Sequence, residues 1–173
     1  SSESQTHRQM ASGLSMPLGF KNTTAGDVLA AVNAIKAARQ PQTFLGISFQ
    51  GLASSISTRG NPSCHVILRG GDNGPNYDAA HVAAARALLE KNHLQPAIVI
   101  DCSHSNCQKD PSKMSAVLMD VVDQMLAGQE AVIGAMLESN IVGGTQPFPQ
   151  PLEKLCWGQS ITDPCIGWDE TVE

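Results

Sequence analysis

Aromatic side chains are scarce in this 173-residue sequence: Phe, Trp and Tyr together make up 4% of it. With 42% of its residues hydrophobic, the chain must build its core from Ala, Val, Ile, Leu and Met. Basic residues are also few. Eleven Lys and Arg against sixteen Asp and Glu leave a net charge of −5, no basic footprint, and no expectation of a nucleic-acid partner. A small anionic substrate stays open, because local rather than total charge governs its binding. No apolar run approaches the ~20 residues that span a bilayer, so no membrane partner is expected. Cys64, Cys102, Cys107, Cys156 and Cys165 are odd in number and irregularly spaced, which speaks against a disulfide framework and predicts reduced thiols in a cytoplasmic protein. The opening SSESQTHRQM has no signal-peptide pattern and no initiator methionine, and is expected to lie inside a longer chain. Low-complexity linkers and long internal repeats are missing too.

What is present is alternation between strand-like and helix-like periods. MPLGFKN (16–22) reads as a strand, and GDVLAAVNAIKAAR as a helix with Val28, Val32 and Ile35 on one stripe. CHVILRGG (64–71) is a strand closed by Arg69 and two glycines, followed by a helix N-capped by Asp78. PAIVIDCSH (96–104) is a buried strand. Asp110-Pro111 opens a helix that Gly128 stops, and AVIGAMLES (131–139) is a fourth strand. TFLGISF and ASSISTRG, joined by Gln50-Gly51, read as an inserted hairpin. Residues 143–159 read as a long loop, and a last helix is expected to begin near Thr162.

Strands alternating with helices imply right-handed βαβ units and a parallel sheet. An open doubly wound sheet usually carries a glycine-rich phosphate turn after its first strand, and none is present. About four β/α units with an inserted hairpin suit the second half of a (β/α)8 TIM barrel, a fold of ~250 residues. Residues 1–173 are therefore expected to be the C-terminal half of one catalytic domain, with the N-terminal half outside the sequence, and to be inactive alone.

Function in parallel barrels collects at the C-terminal ends of the strands. Lys21, Arg69, His104 and Glu138 stand at four such ends. Singly, each reads as a solvated charge or a structural group; together they read as a site. Lys21 and Arg69 suit a phosphate or carboxylate, with Arg69 as a bidentate fork. His104 and Glu138 suit a divalent metal, and Asp163 in SITDPCIGW offers a further carboxylate. Three ligands and an open position would polarise a carbonyl. Cys102, His104 and Cys107 raise a zinc knuckle as a weaker reading, since no second pair follows at the right spacing. His7 and Arg8 read equally as substrate-facing residues or as a polar helix start.

GLSMPLGFKN, GNPSCHVILRGG followed by PNYD, IDCSHSN, MLESNI and SITDPCIGW resemble, in order and spacing, the microbial type I 3-deoxy-D-arabino-heptulosonate 7-phosphate (DAHP) synthases. The resemblance covers essentially the whole chain. It implies a metal-dependent transferase of the shikimate pathway that condenses phosphoenolpyruvate with D-erythrose 4-phosphate. It makes Lys21 and Arg69 catalytic and substrate-binding, and His104, Glu138 and Asp163 metal ligands, with Asp163 also at the substrate. The ion would be Mn, Fe, Co or similar, and a fourth ligand, a cysteine, would come from outside this sequence. In the implied reaction C3 of phosphoenolpyruvate attacks an aldehyde polarised by the metal, water adds at C2, and phosphate leaves. A homodimer or homotetramer is implied as well.

The sequence departs from the family pattern at Thr23 and Ala25 after GFKN, at Gly143 after the ESN block, and at Pro164 beside Asp163. Gly46 stands where phenylalanine-sensitive members tend to carry Ser. With Ser15 at a family effector position, it points to feedback inhibition by tyrosine, against a bland role in the hairpin turn. Two alternatives are a Schiff-base aldolase using Lys21 as nucleophile, and a catalytically weak regulatory paralogue.

Overall fold

Residues 2–173 are described by a computed structural model. In chain order the elements are α1 (Gln5–Ser12), β1 (Leu18–Lys21), α2 (Val28–Ala38), β2 (Thr43–Ile47), β3 (Ala53–Ser57), β4 (Cys64–Leu68), α3 (Ala79–Lys91), β5 (Ile98–Asp101), α4 (Met114–Leu126), β6 (Val132–Met136), β7 (Val142–Thr145), β8 (Gln159–Ser160) and α5 (Trp168–Val172). The helix starts follow the capping residues of the sequence. Asp27 accepts from Leu29 N at 2.8 Å, and Asp78 accepts from Ala80 N and His81 N. Asp110 caps a 3-10 turn, Pro111–Lys113, that leads into α4.

The four predicted strands form one parallel sheet in the order β1-β4-β5-β6. Its register runs Phe20–Val66–Ile98–Val132 along one face and Lys21–Ile67–Val99–Gly134 along the other. The first row is buried against Val32 and Ile35 of α2, Val82 and Leu89 of α3, and Val117 and Val121 of α4. Aliphatic side chains dominate this core, as the lack of aromatics requires. The second face is only partly covered, with Gly19, His65, Ile67 and Val99 at intermediate burial. Parallel sheets are normally buried on both faces. The α/β class, the parallel sheet and the antiparallel β2–β3 hairpin agree with the sequence reading.

Several boundaries differ, and β1 and β6 are shorter than the runs 16–22 and 131–139. β5 stops at Asp101, so His104 sits three residues beyond the strand, in the following turn. The stretch read as a long loop contains β7 and β8, a short parallel pair. The Gln146 side chain helps close it, donating to Cys156 O and Gln159 O and accepting from Cys156 N. Side-chain rungs of this kind leave no periodic trace in sequence. The last helix begins at Trp168, not near Thr162. Cys165 and Ile166 are instead drawn into bridges with Gly144 and Ser139, which hold that stretch extended.

Candidate active site and metal centre

Lys21 is the last residue of β1 and Arg69 the first after β4, while Glu138 lies two residues beyond β6. Parallel pairing brings these ends to one edge of the sheet. Three buried asparagines join the loops there. Asn22 Oδ1 accepts from Arg69 N at 2.9 Å, and Asn22 Nδ2 donates to Gly70 O. Asn76 Oδ1 accepts from Gly70 N at 2.7 Å, and Asn106 Oδ1 accepts from Asn76 N at 2.8 Å. Asn106 Nδ2 donates to Leu68 O and Asp101 O. A buried polar network costs little when its groups are paired, and it then holds one arrangement. Gly71 adds a close approach: a Cβ there would stand 2.5 Å from Gly26 Cα, so the loops after β1 and β4 touch backbone to backbone. Thr23, a departure from the family pattern, still closes its turn by accepting from Gly26 N at 2.9 Å.

Two cavities adjoin at this edge. One, of about 340 Å³, is lined by Lys21, Asn22, Thr23, Arg69 and His104 among others. The second, of about 100 Å³, is lined by Arg69, His104, Lys109, Glu138, Asp163 and Pro164 together with Cys107. Arg69 and His104 border both.

In the smaller cavity His104 Nε2 lies 3.4 Å from Glu138 Oε1 and 3.7 Å from Asp163 Oδ2. Ligand atoms of the three residues all fall within 4.8 Å of one another. Ligands held about 2.1 Å from one tetrahedral or octahedral ion stand roughly 3.0–3.4 Å apart, so the group is close to the spacing that a single ion needs. Two carboxylates converging on an imidazole edge would otherwise repel. The mixed N/O set suits a divalent first-row metal.

The surrounding backbone aims these groups. His104 has φ +52°, a left-handed conformation uncommon for a residue with a side chain, and it recurs at Gln108 and Lys109. Lys109 N donates to His104 O at 2.8 Å and closes the loop. Ser103 Oγ accepts from Glu138 N at 2.8 Å. Asp163 is carried by a segment tied across to the loop after β6, where Ile166 N donates to Glu138 O and Cys165 pairs with Gly144. Behind His104, Asp101 is fully buried. Its Oδ2 accepts from Lys21 Nζ at 2.7 Å and lies 2.8 Å from His104 Nδ1, although that contact is not aligned as a hydrogen bond.

The structure thus brings Lys21, Arg69, His104, Glu138 and Asp163 together. The zinc knuckle receives no such support. Cys102 is buried and its thiol is pushed up to about 12, first by burial and then by the charges of Asp101 and Cys107. Neither Cys102 nor Cys107 joins the ligand group found among the described residues. His7 and Arg8 lie on α1 and line neither cavity; Arg8 Nε donates to Ser2 O instead. Ser15 lines a separate cleft of about 640 Å³ with Leu14, Ile56, Thr58 and Arg59. Gly46 is mid-strand in β2 rather than in the turn, and a Cβ there would stand 2.5 Å from Ile56 Cγ1. The glycine therefore lets Ile56, which walls the cleft, lie across the hairpin.

Asp101, Lys109 and the three asparagines were missed by the sequence reading. Asp101 left a signal, a carboxylate closing the apolar run IVID. The asparagines pair with groups distant in sequence, so no local pattern marks their roles.

The sequence matches the profile of the DAHP synthetase I family over residues 1–173. It is 49% identical over 169 residues to the Tyr-sensitive phospho-2-dehydro-3-deoxyheptonate aldolase of Escherichia coli K12, covering 98% of this chain and 47% of that protein. It is also 49% identical over 172 residues to the tyrosine-inhibited phospho-2-dehydro-3-deoxyheptonate aldolase of Schizosaccharomyces pombe, covering 98% of this chain and 46% of that one. A solved phospho-2-dehydro-3-deoxyheptonate aldolase from Francisella tularensis SCHU S4 superposes with a TM-score of 0.92 at 46% identity, over 99% of this chain and 49% of the other. The chain spans about half the length of each of these three.

Proposed function

Since this chain belongs to the DAHP synthetase I family, we propose that it forms the C-terminal half of a (β/α)8 barrel that condenses phosphoenolpyruvate with D-erythrose 4-phosphate, giving DAHP and phosphate. The partly covered face of the sheet supports the barrel. Its row Lys21–Ile67–Val99–Gly134 would point into a barrel interior, and further strands would continue from the edges at β1 and β6. The observation that carries the catalytic reading is the shared wall: Arg69 and His104 border both the cation-lined cavity and the His/Glu/Asp cavity. A substrate anion in the first would present its reacting carbon at the mouth of the second.

Lys21 and Arg69 hold the phosphoenolpyruvate anion and orient it, and this catalysis is largely positioning and electrostatics. His104, Glu138 and Asp163 would hold a divalent ion, which when bound polarises the aldehyde. Asp163, the most exposed of the three, also faces the incoming sugar phosphate. The ion pair between Lys21 and Asp101 supports a charge-holding lysine over a Schiff-base nucleophile.

The 640 Å³ cleft beside Ser15, with Gly46 behind Ile56, is assigned to a tyrosine effector. The exposed apolar side chains of Leu45, Ile47, Phe49 and Leu52 on the hairpin support self-association as a homodimer or homotetramer. Among the described residues no helix is long and apolar enough to cross a membrane, and a cytoplasmic address is part of the same reading.

The test is product formation by the full-length protein. EDTA is expected to abolish it and Mn²⁺ to restore it. EDTA-resistant activity, with a borohydride-trapped substrate adduct on Lys21, would overturn the metal mechanism in favour of the aldolase.

A further inference from the structure

Asp101 is the one carboxylate among the fully buried polar side chains of the described residues, and it touches both halves of the site. Oδ1 accepts from Ser103 N at 2.9 Å. Oδ2 faces two donors at nearly equal distance, Lys21 Nζ at 2.7 Å and His104 Nδ1 at 2.8 Å. The two contacts are not equivalent. Lys21 makes an aligned hydrogen bond to Oδ2, whereas His104 Nδ1 is buried and has no hydrogen-bond partner. A single oxygen is therefore shared by the cation assigned to phosphoenolpyruvate and the ring assigned to the metal, and Lys21 holds it.

We infer that Asp101 is a positioning residue that couples the metal and phosphoenolpyruvate subsites, holding Lys21 in the metal-free protein and releasing it when His104 takes a metal. The inference rests on the functional reading above and deepens it. An imidazole that ligates through Nε2 carries its proton on Nδ1, and the ion's charge makes that N–H a stronger donor. The Nδ1–H then draws Oδ2 towards the ring and weakens its hold on the ammonium. Lys21, whose side chain is 35% exposed at the neighbouring cavity, is left with more of its charge for the substrate anion. Metal and phosphoenolpyruvate then bind with positive cooperativity, and Asp101 transmits part of it.

The test is calorimetric titration of the full-length protein with Mn²⁺ alone, with phosphoenolpyruvate alone, and with each in the presence of the other. In the wild type, Mn²⁺ should tighten phosphoenolpyruvate binding within the usual coupling range of about 5–150-fold. Asp101→Asn should weaken Mn²⁺ by about 10–100-fold, as loss of an orienting partner does. It should cut the cooperativity, yet leave metal-free phosphoenolpyruvate binding as tight as in the wild type or tighter, because Lys21 is no longer restrained. A residue that merely supports the fold would weaken both ligands alike. Lys21→Met provides a second reading should Asp101→Asn not fold: Mn²⁺ affinity should hold or rise. The inference is overturned by weaker Mn²⁺ binding in Lys21→Met, by an Asp101→Asn protein with wild-type cooperativity, or by about tenfold weaker metal-free phosphoenolpyruvate binding in that variant. A wild type that binds neither ligand would remove the functional reading itself, and this inference with it.

Discussion

Gly70 is where the loop carrying Arg69 meets the loop carrying His104, and replacing it with alanine tests that junction. Its φ is +73°, and a Cβ there would stand 2.7 Å from Ser105 Cβ and 2.8 Å from Asn106 N. Two costs follow. A left-handed backbone costs a residue with a Cβ roughly 1–2 kcal/mol. Reduced freedom of the unfolded chain returns about 0.4–1 kcal/mol, leaving a net penalty of about 1.5 kcal/mol or less. The overlap adds about 1–3 kcal/mol, because the atoms met include backbone and cannot rotate away. Gly70→Ala should therefore lose about 1–4.5 kcal/mol. Gly51→Ala is the control, since φ is +77° but nothing lies within 4 Å of the added carbon, and it should lose only the conformational part, about 1.5 kcal/mol or less. Urea unfolding of both full-length variants, followed by circular dichroism, measures the difference. Calorimetry with Mn²⁺ should show weaker binding in Gly70→Ala alone, because the strained contact is with residues adjoining His104. Equal stability loss in the two variants, within about 0.5 kcal/mol, would refute the idea that close loop packing sets the site.

The remaining expectations concern thiols and pH. Cys156 is exposed, while Cys64, Cys102, Cys107 and Cys165 are buried and burial raises the pKa of all four thiols. Brief iodoacetamide treatment with peptide mapping should modify Cys156 well before the other four, and equal labelling of Cys102 would contradict the packing. Burial holds the His65 imidazole below its usual pKa, against a hydrogen bond to the Ser63 backbone that raises it. The unfolded chain then takes up this proton at higher pH than the folded protein does. The stability involved is complete above about pH 6.5 and is lost as pH falls towards the folded value. The urea midpoint should drop as pH is lowered from about 7 to about 5.5, and drop less in His65→Gln. An unchanged slope in the variant would remove His65 as the cause.

Much of the fold was legible because its signals are local. Asp78 and Asp110 cap by bonding to backbone two or three residues on, so they announce the starts of α3 and of the turn before α4. Apolar runs of strand length gave the four parallel strands and the hairpin. Lys21, Arg69, His104 and Glu138 were legible as candidates because chemical type coincides with a place at or just beyond a strand end, and Asp163 because SITDPCIGW is part of the motifs that carry the family resemblance.

The rest needed atoms brought together from far along the chain. That Gly46 accommodates Ile56, that Gln146 rungs a strand pair and that Asn22, Asn76 and Asn106 interlock are facts of packing, and no spacing rule encodes them. The sequence alone determined the four parallel strands, the hairpin and the main helices, and which side chains stand at or just beyond the strand ends, since these depend on neighbours within a few residues. Only the tertiary structure decided that Lys21 and His104, 83 positions apart, share one buried oxygen of Asp101. A carboxylate can be buried there because the Lys21 cation at the end of β1 reaches it beside the imidazole of the turn after β5, and that meeting exists only once the sheet has formed.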